Sequence, residues 1–115
     1  MNDPATYRIV LETPDGEFSF DCRADEVIWD AAARHGISLP AICHQGWCLT
    51  CAARLLSGAV DQSLSRGYFP RDKEEGYALP CTARPRSDVR LRTHQQFLMR
   101  EYRRRARLPI PYSGL

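Results

Sequence analysis

The chain has 115 residues, room for one domain with one modest core but not for a second independent fold, and 43% of them are apolar against 26% charged, the ordinary balance of a soluble globular protein. Its longest apolar runs are a few residues, far short of the roughly 20 needed to cross a bilayer, which excludes a helical membrane span. The formal charge of +2 conceals an asymmetry, because residues 1–30 carry eight acids and two arginines (net −6) while residues 31–115 carry six acids and fourteen bases (net +8).

From the start, MNDPATYRIV runs into a strand-like pattern without the basic-then-apolar order of a signal peptide. The expected compartment is therefore the cytoplasm, or an organelle interior if a leader has been removed. Tyr7, Ile9 and Leu11 alternate with Arg8 and Glu12, the period-two signature of a half-buried strand. Pro14-Asp15-Gly16 signals a turn, and Phe18, Phe20 and Cys22 then alternate with Ser19 and Asp21, so a second strand should pair back as a hairpin. Cys22, on the phenylalanine face, reads as a small buried hydrophobe.

A helix is expected from Asp25 to His35, with acids at its N-terminus, Arg34 and His35 at the other end, and Gly36 as the terminating residue. Ala52 to Leu56 suggests a third strand with a Ser57-Gly58 turn behind it. Residues 61–76 are polar and irregular, with one helical turn expected at Asp72 to Glu75. Tyr77 to Leu79 reads as a short strand, and Val89 and Leu91 belong to the last one. Strands interrupted by one helix suggest a small mixed sheet clasping it, an α+β arrangement.

The chemistry gathers at CHQGWCLTC, Cys43 to Cys51, and at Cys81. Four residues separate Cys43 from Cys48, two separate Cys48 from Cys51, and twenty-nine separate Cys51 from Cys81. An odd total of five cysteines argues against a disulfide scaffold, and in a reducing compartment such a cluster more often binds metal. Four fit a ligand set, and Cys22 is left over. Structural zinc usually takes cysteines in two close pairs, whereas only Cys48 and Cys51 are close here. A thioredoxin-like dithiol at Cys48 and Cys51 would need a βαβ setting that the chain lacks. The C-x4-C-x2-C…C run instead has the spacing of plant-type two-iron two-sulfur ligands. No Gly-rich phosphate loop and no nucleophile motif with a plausible base accompanies it, so the chain reads as a carrier rather than an enzyme.

On these residues the chain resembles the plant-type ferredoxins of cyanobacteria and chloroplasts. The resemblance extends over Tyr7 to His94 and is specific at Leu39-Pro40 to Cys43, Gly46 to Cys51, Gly58 to Ser63, Gly76 to Cys81 and Ser87 to His94. Adrenodoxin-like ferredoxins have one more residue in the first gap. The same spacing occurs in ferredoxin modules of oxygenase reductases, whose flavin and nicotinamide domains have no room here.

The resemblance implies a β-grasp fold and one 2Fe-2S cluster held by Cys43, Cys48, Cys51 and Cys81, with Gly46 at a tight loop position. Such a centre carries a formal charge of about −2, becomes about −3 on reduction, and in plant-type proteins lies near roughly −400 mV.

The departures are specific. Photosynthetic relatives carry serine, Arg-Ala and a small residue around the first two ligands, where this chain has Ile42, His44-Gln45 and Trp47. Their acidic run after the D-Q-S stretch is replaced by Arg66, Tyr68, Phe69 and Arg71, and their acidic pair near the C-terminus by Gln96 and Phe97. These put docking to the usual basic reductase in doubt. Beyond a 1–94 cluster domain, residues 95–115 form a basic extension similar to that of a C-terminally extended ferredoxin subgroup.

In that extension Phe97, Leu98, Tyr102 and Ala106 have helical spacing amid five arginines, with Pro109 and Pro111 ending the helix. A solvated tail, or a docking helix for an acidic protein partner, is expected rather than nucleic-acid binding, and peripheral contact with an acidic membrane stays open. The expected partners are protein redox partners of a monomer, a reductase or an electron acceptor. A cluster-bearing regulatory or sensor protein is the alternative, and a structural zinc module the third.

Overall fold

The computed structural model describes residues 5–41 and 49–110. Cys43, Gly46 and Cys48, with Ile42, His44, Gln45 and Trp47, lie outside the described residues.

Strand β1 (Thr6–Thr13) and strand β2 (Gly16–Arg23) form the expected hairpin, from Thr6 opposite Arg23 to Thr13 opposite Gly16. Its turn is closed by the Thr13 hydroxyl, which donates to the Gly16 carbonyl at 2.8 Å. Ile9, Leu11, Phe20 and Cys22 point into the core, whereas Phe18, near the turn, is exposed. The later strands are β3 (Ala53–Ser57), β4 (Val60–Asp61), β5 (Tyr77–Ala78), β6 (Arg84–Pro85) and β7 (Val89–Arg92). The main sheet has the order β2-β1-β7-β3-β5, with β7 parallel to β1 and the other pairs antiparallel. This is the mixed sheet of the β-grasp fold. Strands β4 and β6 make a separate two-stranded sheet.

Helix α1 (Ile28–Arg34) begins three residues later than the acids at Asp25 and Glu26 suggest. Both acids are engaged elsewhere, Asp25 with Arg23 at 3.1 Å and Glu26 with Arg34 at 2.8 Å. The first helical N–H groups are satisfied by another part of the chain: Ile28 donates to the Ala83 carbonyl at 2.8 Å and Trp29 to that of Pro80 at 3.0 Å. A helix end needs such acceptors or donors from somewhere, and here tertiary contacts replace a side-chain cap. At the other end Gly36, with φ +79°, closes a Schellman motif in which Ile37 N–H reaches the Ala32 carbonyl at 2.9 Å. The exposed His35 ring stacks on Phe20 and contacts the Ala31 carbonyl at 2.8 Å. Ile28, Ala31 and Ala32 pack with Ile9, Leu11, Phe20, Cys22, Val89 and Leu91 to form the main core.

Helix α2 (Pro70–Glu74) is the late helical turn, and helix α3 (Gln96–Ala106) lies in the C-terminal region. The inward face of α3 differs from the expected one. Met99, Tyr102 and Arg103 are buried, while Phe97 is 78% exposed and Leu98 56%. The reason is packing against α2 rather than apolar content: Arg103 finds the buried carboxylate of Asp72 there. Tyr102 also stacks on Tyr77, with ring centroids 5.3 Å apart. The helix ends ahead of Pro109, with Arg107 left-handed at φ 57° and the Leu108 N–H on the Arg103 carbonyl at 2.9 Å.

Among the described residues no helix is long and apolar enough to cross a membrane.

Candidate metal centre

Of the four expected ligands, the structure describes two and brings them together. Cys51 sits in a turn at residues 49–52, and Cys81 in a second turn at residues 79–82; in each, the last N–H bonds the first carbonyl at 3.0 Å. Their sulfur atoms lie 3.2 Å apart, and both side chains are buried. That separation exceeds a disulfide bond of about 2.05 Å and brings the two sulfurs close enough to serve one metal centre. Soft thiolates in an apolar surround are the donors that iron–sulfur clusters use. The described residues therefore fit a cluster. Cys43, Cys48 and Gly46 lie outside them, and among the described residues no three His, Cys, Asp or Glu gather in a metal-binding group.

The surround is a second apolar cluster comprising Leu49, Cys51, Ala52, Tyr77, Leu79, Cys81, Met99 and Tyr102, separate from the main core. Helix α3 supplies two of these residues, and the Gln95 N–H, at its start, donates to the Ala52 carbonyl at 3.0 Å. Leu49 is fully buried with φ 65°, an uncommon conformation for a side-chain-bearing residue that tends to occur at functional turns.

Sequence reasoning singled out the D-Q-S stretch only as part of a resemblance, whereas the structure assigns it a task. The Gln62 carboxamide oxygen accepts the Leu79 N–H at 2.7 Å, and its nitrogen donates to Ser65 Oγ at 2.8 Å and Thr82 Oγ1 at 3.3 Å. The Cys81 turn is thus gripped by Gln62 on one side and, through Pro80 and Ala83, by the first turn of α1 on the other. Asp61 anchors the stretch. Hydrogen bonds from the Ser63 N–H and hydroxyl, and then from Arg84, depress its carboxyl from the ordinary 3.8 to about 2.

Gly58, which opens this segment at φ +90°, has no room for a side chain, since a Cβ there would collide with the Asp88 carbonyl. On the approach to Cys43, the Trp29 indole N–H donates to the Leu39 carbonyl at 3.0 Å. Tyr68 and Phe69, which stand where relatives are acidic, are structural here. The Tyr68 hydroxyl donates to the Tyr77 carbonyl at 2.7 Å, and the Phe69 ring lies 5.0 Å beneath the Arg103 guanidinium.

Cys22 is remote in kind from this centre. It packs in the main core, and burial pushes its thiol up to about 12. A thiol so hard to ionise is a poor metal ligand.

A family model, the 2Fe-2S iron-sulfur cluster binding domain, matches residues 12–86. Ferredoxin-2 of Synechococcus sp. is 41% identical over 92 residues, covering 80% of this chain and 88% of that protein. Chloroplastic Ferredoxin-6 of Zea mays is 40% identical over 93 residues, 78% of this chain and 59% of the maize protein. Among solved structures, Pectocin M2 superposes with a TM-score of 0.73 at 32% identity, over 81% of this chain and 34% of the pectocin. The chain belongs to the plant-type 2Fe-2S ferredoxins, electron-transfer proteins with one two-iron two-sulfur cluster rather than enzymes.

Proposed function

We propose that Cys43, Cys48, Cys51 and Cys81 hold the cluster, and that the protein passes low-potential electrons to a redox partner other than, or in addition to, the usual ferredoxin–NADP reductase. The observation that carries the ligand assignment is the 3.2 Å approach of two buried cysteine sulfurs, from turns thirty residues apart in sequence. When bound, the cluster accepts and returns a single electron.

The chain's own residues do the rest. Gln62 and the α1 N-terminus hold the Cys81 turn, while Leu49, Leu79, Met99 and Tyr102 surround Cys51 and Cys81 with apolar side chains. A centre that gains negative charge in such a surround favours a low potential. Residues 1–94 act as the cluster domain and 95–115 as its extension, a division that falls between β7 and the start of α3. Burial of Met99 and Tyr102 beside the two cysteines ties that extension to the cluster domain.

The partner reading rests on charge. Exposed Arg66 and Arg71 stand where photosynthetic relatives are acidic, and α3 adds exposed Arg104 and Arg105. A basic reductase would be repelled by this surface. Reductase turnover with this protein should therefore be several-fold slower than with an acidic ferredoxin and should improve as salt is added. Turnover as fast as that of an acidic ferredoxin overturns the partner reading. For the ligands, C43S, C48S, C51S and C81S should each lose the stoichiometric two irons and two sulfides of the intact protein; full retention in any one removes that residue from the set.

A further inference from the structure

Between α2 and α3 lies a cleft of about 260 Å³ lined by Arg71, Glu75, Tyr102, Arg105 and Ala106. Arg71 reaches Glu75 at 3.3 Å, while Arg105 is exposed and makes no ion pair among the described residues. The cleft thus carries two guanidiniums against one carboxylate. On the same helix, Arg104 is paired with Glu101.

The two arginines are held in register by the residues beside them. Asp72 follows Arg71, Arg103 precedes Arg105 by two, and these neighbours form a fully buried ion pair at 2.6 Å. Tyr102 links the cleft to the metal centre, since it lines the former and packs in the apolar cluster of Cys51 and Cys81. Leu98, Glu101 and Arg105 follow one another at helical spacing, so the 56% exposed Leu98 continues the same face.

We infer that this cleft receives acidic side chains of a protein redox partner, docking it over α3 beside the metal centre. The inference deepens the carrier reading and rests on it. A protein is favoured over nucleic acid or an anionic membrane by the shape and charge of the site. A small concave cleft with a carboxylate on its wall suits separate carboxylates rather than a continuous polyanion, and the exposed leucine beside it suits an interface with an apolar centre and a polar rim.

The test is stopped-flow reduction of two ferric haem proteins, acidic cytochrome b5 and basic cytochrome c, by the intact protein reduced with one equivalent of dithionite. The expected result is a cytochrome b5 rate that falls with salt, drops roughly fivefold to tenfold in R71Q/R105Q, and rises in E75Q. Cytochrome c should respond in the opposite direction. R8Q is the control, because Arg8 pairs with Asp21 at the β2 end of the sheet, away from β5 and α2. A cytochrome b5 rate insensitive to R71Q/R105Q, or equally sensitive to R8Q, overturns the docking site and leaves the carrier reading intact. Loss of binding to phosphatidylserine vesicles or a DNA duplex in R71Q/R105Q, with the cytochrome b5 rate unchanged, overturns it in favour of a membrane or nucleic acid. Failure of the reduced protein to reduce either haem overturns both readings.

Discussion

The Arg103 guanidinium meets the Asp72 carboxylate at 2.6 Å with both side chains fully buried. Around this pair the Tyr102 hydroxyl donates to the other carboxylate oxygen at 2.6 Å, and Arg103 also donates to the carbonyls of Gly67 at 2.7 Å and Pro109 at 3.0 Å. Every charge in the node is paired and hydrogen-bonded, the condition under which a buried ion pair persists. Removing one partner strands the other charge. Arg103→Ala or Asp72→Ala should destabilise the folded protein by about 3–5 kcal/mol, read by urea denaturation, whereas Arg104→Ala, which removes an exposed cation, should change stability by less than about 1 kcal/mol. Equal small effects at both positions would dismiss the node as a structural lock.

Gln62 offers a second test, because its carboxamide satisfies the Leu79 N–H two residues before Cys81. Gln62→Ala leaves that buried donor without a partner, a loss of about 1–3 kcal/mol. The variant should surrender iron to a chelator several-fold faster than the parent. Unchanged release kinetics would mean that the α1 contacts alone hold the turn.

Acid stability should report on Asp61. Its folded-state value, near 2, lies below the ordinary 3.8, so its contribution is present above about pH 4 and is lost as pH falls toward 2. Asp61→Asn should be less stable than the parent at neutral pH, and the gap should close on acidification through that window. A gap that is constant from pH 6 to pH 2 would contradict the assignment.

The fifth cysteine separates packing from ligation. Cys22→Ser should retain the visible spectrum of the intact protein with a modest stability loss of about 1–2 kcal/mol from placing a hydroxyl in the core. Loss of the chromophore in that folded variant would place Cys22 among the ligands.

Arg107 holds a left-handed conformation that glycine adopts freely. Arg107→Gly should therefore raise stability, by about 0.5–1 kcal/mol, seen as a higher urea midpoint. A lower midpoint would show that the arginine side chain contributes more than its backbone strain costs.

The parts of this structure that follow a period were legible in the residues. The β1–β2 hairpin, the α1 apolar face and β7 announce themselves by alternation or helical spacing, and the cysteine spacing points to the cofactor. What was hidden depends on partners distant in sequence. The β4 and β6 strands have two residues each, too short for any periodicity. Helix α1 starts late because its first donors are met by Pro80 and Ala83, some fifty residues on. The inward turn of Arg103 could not be separated from its neighbours, since arginines in a run look alike until Asp72 is seen beneath one of them. Gln62 gave a weaker signal, a polar residue in a motif whose task appears only when Leu79 is placed against it.

The most direct measurement is an electron paramagnetic resonance spectrum of the anaerobically purified protein before and after dithionite. The four-cysteine carrier predicts a silent oxidised sample that gains a rhombic spin-one-half signal integrating to about one electron per chain on reduction. A folded, colourless protein that is silent in both states would contradict it.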